Sequence, residues 1–140
     1  MTYCTQQNLT DRYGSAELIL LTNPDNPATT TINVTVLNKA IADATAEIDG
    51  YLTNYLPLSP VPANFERIAC DITRYHLYDD LATEQVRERY KNAIAYLTKV
   101  AEGKISIAPD ASGTVDATTE DGVAYQAQAA VFGSDALSGF

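Results

Sequence analysis

Apolar residues recur at steps of three and four along most of residues 5–103, the spacing of one helix face rather than of a strand. Over residues 35–56, Leu37, Ile41, Ala44, Ile48, Tyr51 or Leu52, and Tyr55 share a stripe, with Lys39, Asp43 and Glu47 on other faces. Thr35 is the expected N-cap, and Leu56-Pro57 the expected end, because the residue before a proline is pushed out of the α region. Gly50 inside this helix costs about 1 kcal/mol relative to alanine, which predicts the close approach of another backbone. A second helix is expected from Pro62 or Ala63 to about Asp80, with Phe65, Ile68, Ala69, Ile72 and His76 in line and Cys70 and Leu77 beside them. A third opens at Thr83, a cap followed by Glu84 placed well against the helix dipole. Its stripe is Val86, Tyr90, Ala93, Ile94, Leu97 and Val100, and Gly103 supplies the C-cap.

Residues 5–22 carry two shorter pieces broken at Gly14. Thr5 is expected to cap the first, with Leu9 and Tyr13 on one side, and Ser15 the second, with Leu18 and Leu21 inward and Ile19 alongside. NPDNPATTT (23–31) cannot propagate a helix and reads as a loop. PLSPVP (57–62) is a stiff connector. The expected fold is therefore all-α: a small bundle of about four helices, three of them long. After Gly103 the pattern fades. From Lys104 to Phe140 there is one basic residue against five acidic ones, amid Gly, Ser, Thr and Ala. Residues 1–103 are read as the bundle domain and 104–140 as an extended or disordered acidic tail. The tail ends in VFGSDALSGF, whose Phe132, Leu137 and Phe140 form a candidate docking segment.

Charge and composition narrow the partners. The 140-residue chain has a net charge of −9, and its nine basic residues are scattered. Phosphate binding needs clustered Lys and Arg, so neither nucleic acid nor an anionic membrane is the expected partner. The tight group Arg87, Arg89 and Lys91 is interleaved with Glu84 and Glu88 and reads as a solvated helix face. No apolar run approaches the roughly 18 residues of a membrane span. MTYCTQQNLTDRYG lacks the basic start and apolar run of a secretory leader, so the chain reads as made in a cytoplasm. Cys4 and Cys70 have no metal-site spacing and are expected to be free.

RYHLYDD (74–80) gathers the single histidine, two tyrosines, an arginine and two carboxylates, and is the place to look for chemistry. Nucleophilic catalysis needs an activated Ser, Cys or Thr beside a base. Cys70 lies six residues before His76, some 120° away around the helix axis, so the pair cannot meet within one helix. His76 and Asp80 share a face, but nothing completes a metal set, and the plainer reading is an intrahelical hydrogen bond. Asp79 and Asp80 point in different directions at a helix end. Arg74 is expected to pair with Asp71 or Tyr78 on its own helix, or with an acid on a neighbour. Phosphate-cradling glycine motifs are absent. No catalytic, cofactor or metal site is expected. The nine tyrosines, against three phenylalanines and no tryptophan, suit subunit boundaries as well as a core edge. Arg74, Tyr75 and Tyr78 are the interface candidates on the bundle.

Several segments in series carry a resemblance: YCTQQNLTDRYGSAELILLT, VLNKAIADATAEIDGYL, PLSPVP, RIACDITRYHLYDD, EQVRERYKNAIAYLTKVAEGKISI and the terminal VFGSDALSGF. Together they resemble the Mu-like phage and prophage family of small head–tail connector, or head-completion, proteins. The resemblance spans nearly the whole chain. It implies a non-enzymatic adaptor in the virion neck, self-associated in a ring of about twelve copies. It also implies a portal protein on one side and a tail-side connector or stopper protein on the other, with the C-terminal segment reaching the portal or a neighbouring subunit. The alternative is a small acidic helical regulator that binds a host or phage protein.

Overall fold

The computed structural model describes residues 2–58 and 60–107. The chain divides into Met1–Lys104 and Ile105–Phe140. Most of the acidic tail, including Phe132, Leu137 and Phe140, therefore lies outside the described residues. The first unit holds α1 (Gln6–Tyr13), α2 (Ser15–Thr22), α3 (Val34–Tyr51), α4 (Asn64–Tyr78) and α5 (Glu84–Ala101), with 3₁₀ turns at Thr53–Tyr55 and Asp79–Leu81. There is no strand among the described residues. The architecture is all-α, as the periodicity predicts.

α3, α4 and α5 run up, down and up as the core of the bundle, and α1 and α2 close one side of it. Pairings across helices fix the directions: Phe65, early in α4, meets Tyr96, late in α5, while Tyr75, late in α4, stacks on Tyr90, earlier in α5. α4 lies in the middle and touches each of the other four helices. Its buried stripe is Phe65, Ile68, Ala69, Cys70 and Ile72, facing Leu37, Ile41, Ala44 and Ile48 of α3 and Val86, Ala93, Leu97 and Val100 of α5. Each large aliphatic or aromatic side chain here contributes roughly 1.5–3 kcal/mol by leaving water.

Local chemistry sets the helix ends. Thr5 caps α1 through a reciprocal box, accepting from the Asn8 N–H at 3.2 Å while Asn8 Oδ1 accepts from the Thr5 N–H at 2.8 Å. Gly14, at φ 89°, separates α1 from α2 and takes the cap position expected of Ser15, which is the first residue of α2. α3 begins one residue before Thr35. Its cap is Asn33, whose side chain accepts from the Val36 N–H at 3.3 Å. Asn33 is itself held, its N–H donating to the buried Thr22 hydroxyl at 3.0 Å. That anchor lies outside the helix, which is why the local pattern favoured Thr35.

α3 stops at Tyr51, short of the proline. The Thr53 hydroxyl bonds back to the Gly50 carbonyl at 3.1 Å and tightens the chain into a 3₁₀ turn. Leu56 is extended, as the following proline demands. A methyl group at Gly50 would meet nothing within 4 Å, so no backbone approaches and Gly50 has no packing reason to be glycine. α4 ends at Tyr78, because Asp79 turns to φ 51°. α5 is capped by Thr83 and closed at Gly103, φ 77°. There the Gly103 N–H reaches the Val100 carbonyl at 3.0 Å and the Lys104 N–H the Lys99 carbonyl at 2.8 Å, a Schellman closure.

Candidate interaction surface

The polar residues of RYHLYDD are mostly consumed inside the bundle. Arg74 donates twice to Glu17 of α2, at 2.6 and 2.9 Å, and lies over the Tyr13 ring at 4.4 Å. Its side chain is 13 % exposed, so it clamps α2 to α4 rather than standing on an outer face. The Glu17 hydrogen bond raises its pKa and keeps it charged. His76 Nε2 lies 3.0 Å from Glu47 Oε1 of α3, which replaces the expected contact with Asp80. Tyr90 of α5 donates to the other Glu47 oxygen at 2.7 Å. Glu47 thus joins three helices. Tyr75 stacks on Tyr90 with ring centroids 4.0 Å apart, and Tyr78 remains half-buried beside Arg74.

A second polar knot centres on Asp71, which is 3 % exposed. It accepts from the Tyr13 hydroxyl at 2.7 Å, with Arg67 at 3.5 Å and Arg89 at 3.9 Å. Burial, and then that hydrogen bond, pushes Tyr13 well above the usual tyrosine range. Tyr3 is raised the same way against Asp49, and Tyr90 against Glu47.

The thiols of Cys4 and Cys70 lie against each other. Cys4 and Cys70 are both buried and free, and Cys4 Sγ lies 3.7 Å from Thr73 Oγ1. The Cys70 thiol is pushed up, first by its interaction with the Cys4 sulfur and then by burial, which makes it a poor nucleophile. Among the described residues no group of three or more His, Cys, Asp or Glu side chains is arranged for a metal ion. No described helix is long and apolar enough to cross a membrane. The contacts of Arg74, Glu47 and Asp71 hold the helices together.

The unused apolar surface lies elsewhere. Among the described residues the exposed large hydrophobics are Leu20, Val34, Val36, Tyr55, Leu56, Val61 and Leu81. They fall at the two ends of the bundle. Leu20, Val34, Val36 and Leu81 sit where α4 finishes; Tyr55, Leu56 and Val61 sit where it begins. Of these residues the helical periodicity points only to Tyr55, which it places inward. A signal for Leu20 was present, since every position of its run LILL is apolar and a helix can bury only part of that circumference.

The family model described as Bacteriophage Mu, Gp36 matches residues 3–125. The chain belongs to the Mu Gp36 family. Two relatives agree across most of their length. The Mu-like prophage FluMu protein gp36 of Haemophilus influenzae is 37 % identical over 117 residues, covering 81 % of this chain and 82 % of that protein. Gene product J of Escherichia phage Mu is 33 % identical over 134 residues, covering 94 % of each. This Gp36-family chain is a Mu-like phage protein. The match takes in α1 through α5, so Arg74, Glu47 and Asp71 all lie within it.

Proposed function

We propose that this chain is a non-enzymatic head–tail connector, a ring-forming adaptor in the virion neck between the portal and a tail-side connector or stopper protein. The observation that carries the reading is the placement of exposed apolar side chains at both ends of a cross-tied bundle. A domain that buried its polar residues inward and left apolar residues at opposite ends is suited to touching two bodies at once. Membership of a Mu-phage family supports the same reading, as does the resemblance of its serial segments to head-completion proteins. Phe132, Leu137 and Phe140 serve as the terminal docking segment in this scheme, burying apolar area at about 25 cal/mol per Å².

Electron microscopy of the purified protein mixed with its phage's portal is the direct test. A ring stacked on the portal is expected. A monomer that never joins the portal would remove the connector reading and favour the acidic regulator. Deleting residues 129–140 is expected to abolish portal binding, and normal binding by that variant would exclude a terminal docking role.

A further inference from the structure

The end of the bundle where α4 finishes carries a groove of about 700 Å³, lined by Leu20, Leu21, Pro24, Leu77, Tyr78 and Leu81. A second hollow of about 620 Å³ opens beside it, sharing Leu21, Pro24, Leu77 and Asp79 and extending to Val36 of α3. Leu81 is 83 % exposed and Leu20 60 %, so large aliphatic side chains edge the groove without a partner in this chain. Asp79 ends α4 at φ 51° and starts the turn that bears Leu81. That conformation is uncommon for a residue with a side chain.

The rim around this apolar floor is acidic. Asp79 and Asp80 line the groove itself, and Asp25, Asp43 and Asp79 the hollow beside it, where Lys39 and His76 are the basic side chains and His76 already faces Glu47. None of those four carboxylates takes part in an ion pair among the described residues. We propose that this groove docks a segment of a partner protein that presents an apolar side chain flanked by lysine or arginine. Charge decides among the occupants. Residues 105–140 of this chain carry five acidic side chains and no basic one, so they bring the wrong sign to the rim. A second copy brings a net charge of −9. A basic-flanked apolar segment gains both burial and attraction at close range. The inference refines one end of the adaptor and rests on that reading only for which phage protein supplies the segment.

The test titrates the isotope-labelled full chain with two synthetic helical peptides that share their leucines and differ in carrying lysine or glutamate beside them. The lysine peptide is expected to move the amide resonances of residues 20–25 and 77–81. It should bind at least about tenfold more tightly than the glutamate peptide. Leu81→Ala, at an exposed position that folding does not need, weakens it by about tenfold. Asp79→Asn with Asp80→Asn brings the two peptides to within about threefold, since asparagine keeps the shape of the side chain and removes only its charge. Equal affinities, or shifts centred on other residues, overturn the proposal. If the same resonances move on diluting the protein alone, the groove belongs to a second copy. If they move on removing residues 108–140, it belongs to the chain's own end. Either result also overturns it. The connector reading fails separately, when wild-type protein forms no assembly with portal, and the peptide titration reads the groove whatever that outcome.

Discussion

Asp71 is a carboxylate that leaves water for one tyrosine and two arginines on the edge of the bundle. Removing it strands the Tyr13 hydroxyl in a half-buried site and leaves two guanidiniums without their shared acid. Asp71→Ala is expected to cost about 2–3 kcal/mol in urea unfolding; a loss below ~0.5 kcal/mol would show that the knot contributes little. The tyrosines offer a second measurement. Tyr3, Tyr13 and Tyr90 have raised pKa values, from burial first and then from hydrogen bonds to carboxylates. A group raised on folding contributes stability that is full below its unfolded pKa, about 10 for tyrosine, and is lost as pH climbs through the folded value. Folding stability should therefore hold to about pH 10 and fall above it. An ultraviolet titration should show three tyrosines that ionise only as the bundle unfolds.

At the scale of helices, the glycines separate into two kinds. Gly50 has ordinary backbone angles and open space around it, so Gly50→Ala should stabilise by about 0.5–1 kcal/mol. Gly103 holds φ 77° at the Schellman closure of α5, and Gly103→Ala should cost about 1 kcal/mol. Paired thermal melts check both signs, and a destabilising Gly50→Ala would restore a packing role for that glycine. The helices themselves were legible because each buries one stripe, and a period of three to four survives any arrangement of neighbours. Their caps were less so. Thr35 and Asn33 are both good caps, and what favours Asn33 is a hydroxyl at Thr22, eleven positions away. Glu47 reads as solvated because it lies off the stripe, yet its two partners arrive from α4 and α5. Asp71 and Arg74 are ambiguous in the same way, since their tightest contacts are to Tyr13 and Glu17 near the chain start. Local pattern tells which residues face inward; it does not tell which neighbour will be there.

For the molecule as a whole, the two apolar ends should be separable. Leu81→Asp and Leu56→Asp each alter an exposed residue at one end, so both variants should melt within about 2 °C of wild type, as surface substitutions generally do. Under the connector proposal each is expected to lose joining on one side only, read by electron microscopy of particles that stall with a head but no tail, or with connectors that never reach a head. Loss of both junctions in either variant would mean the ends do not act independently.

The central position of α4 has a further consequence, for how the bundle opens. Arg74, Asp71 and His76 tie this helix to α2, α1 and α5, and α3 respectively, and its apolar stripe fills the space between the long helices. Subunits that peel apart helix by helix show a ladder of amide exchange rates. Here no long helix can leave without breaking a tie to α4, so the slowest amides of α3, α4 and α5 should exchange together, with one common opening energy. Such a piece withstands strain up to a threshold and then gives way all at once.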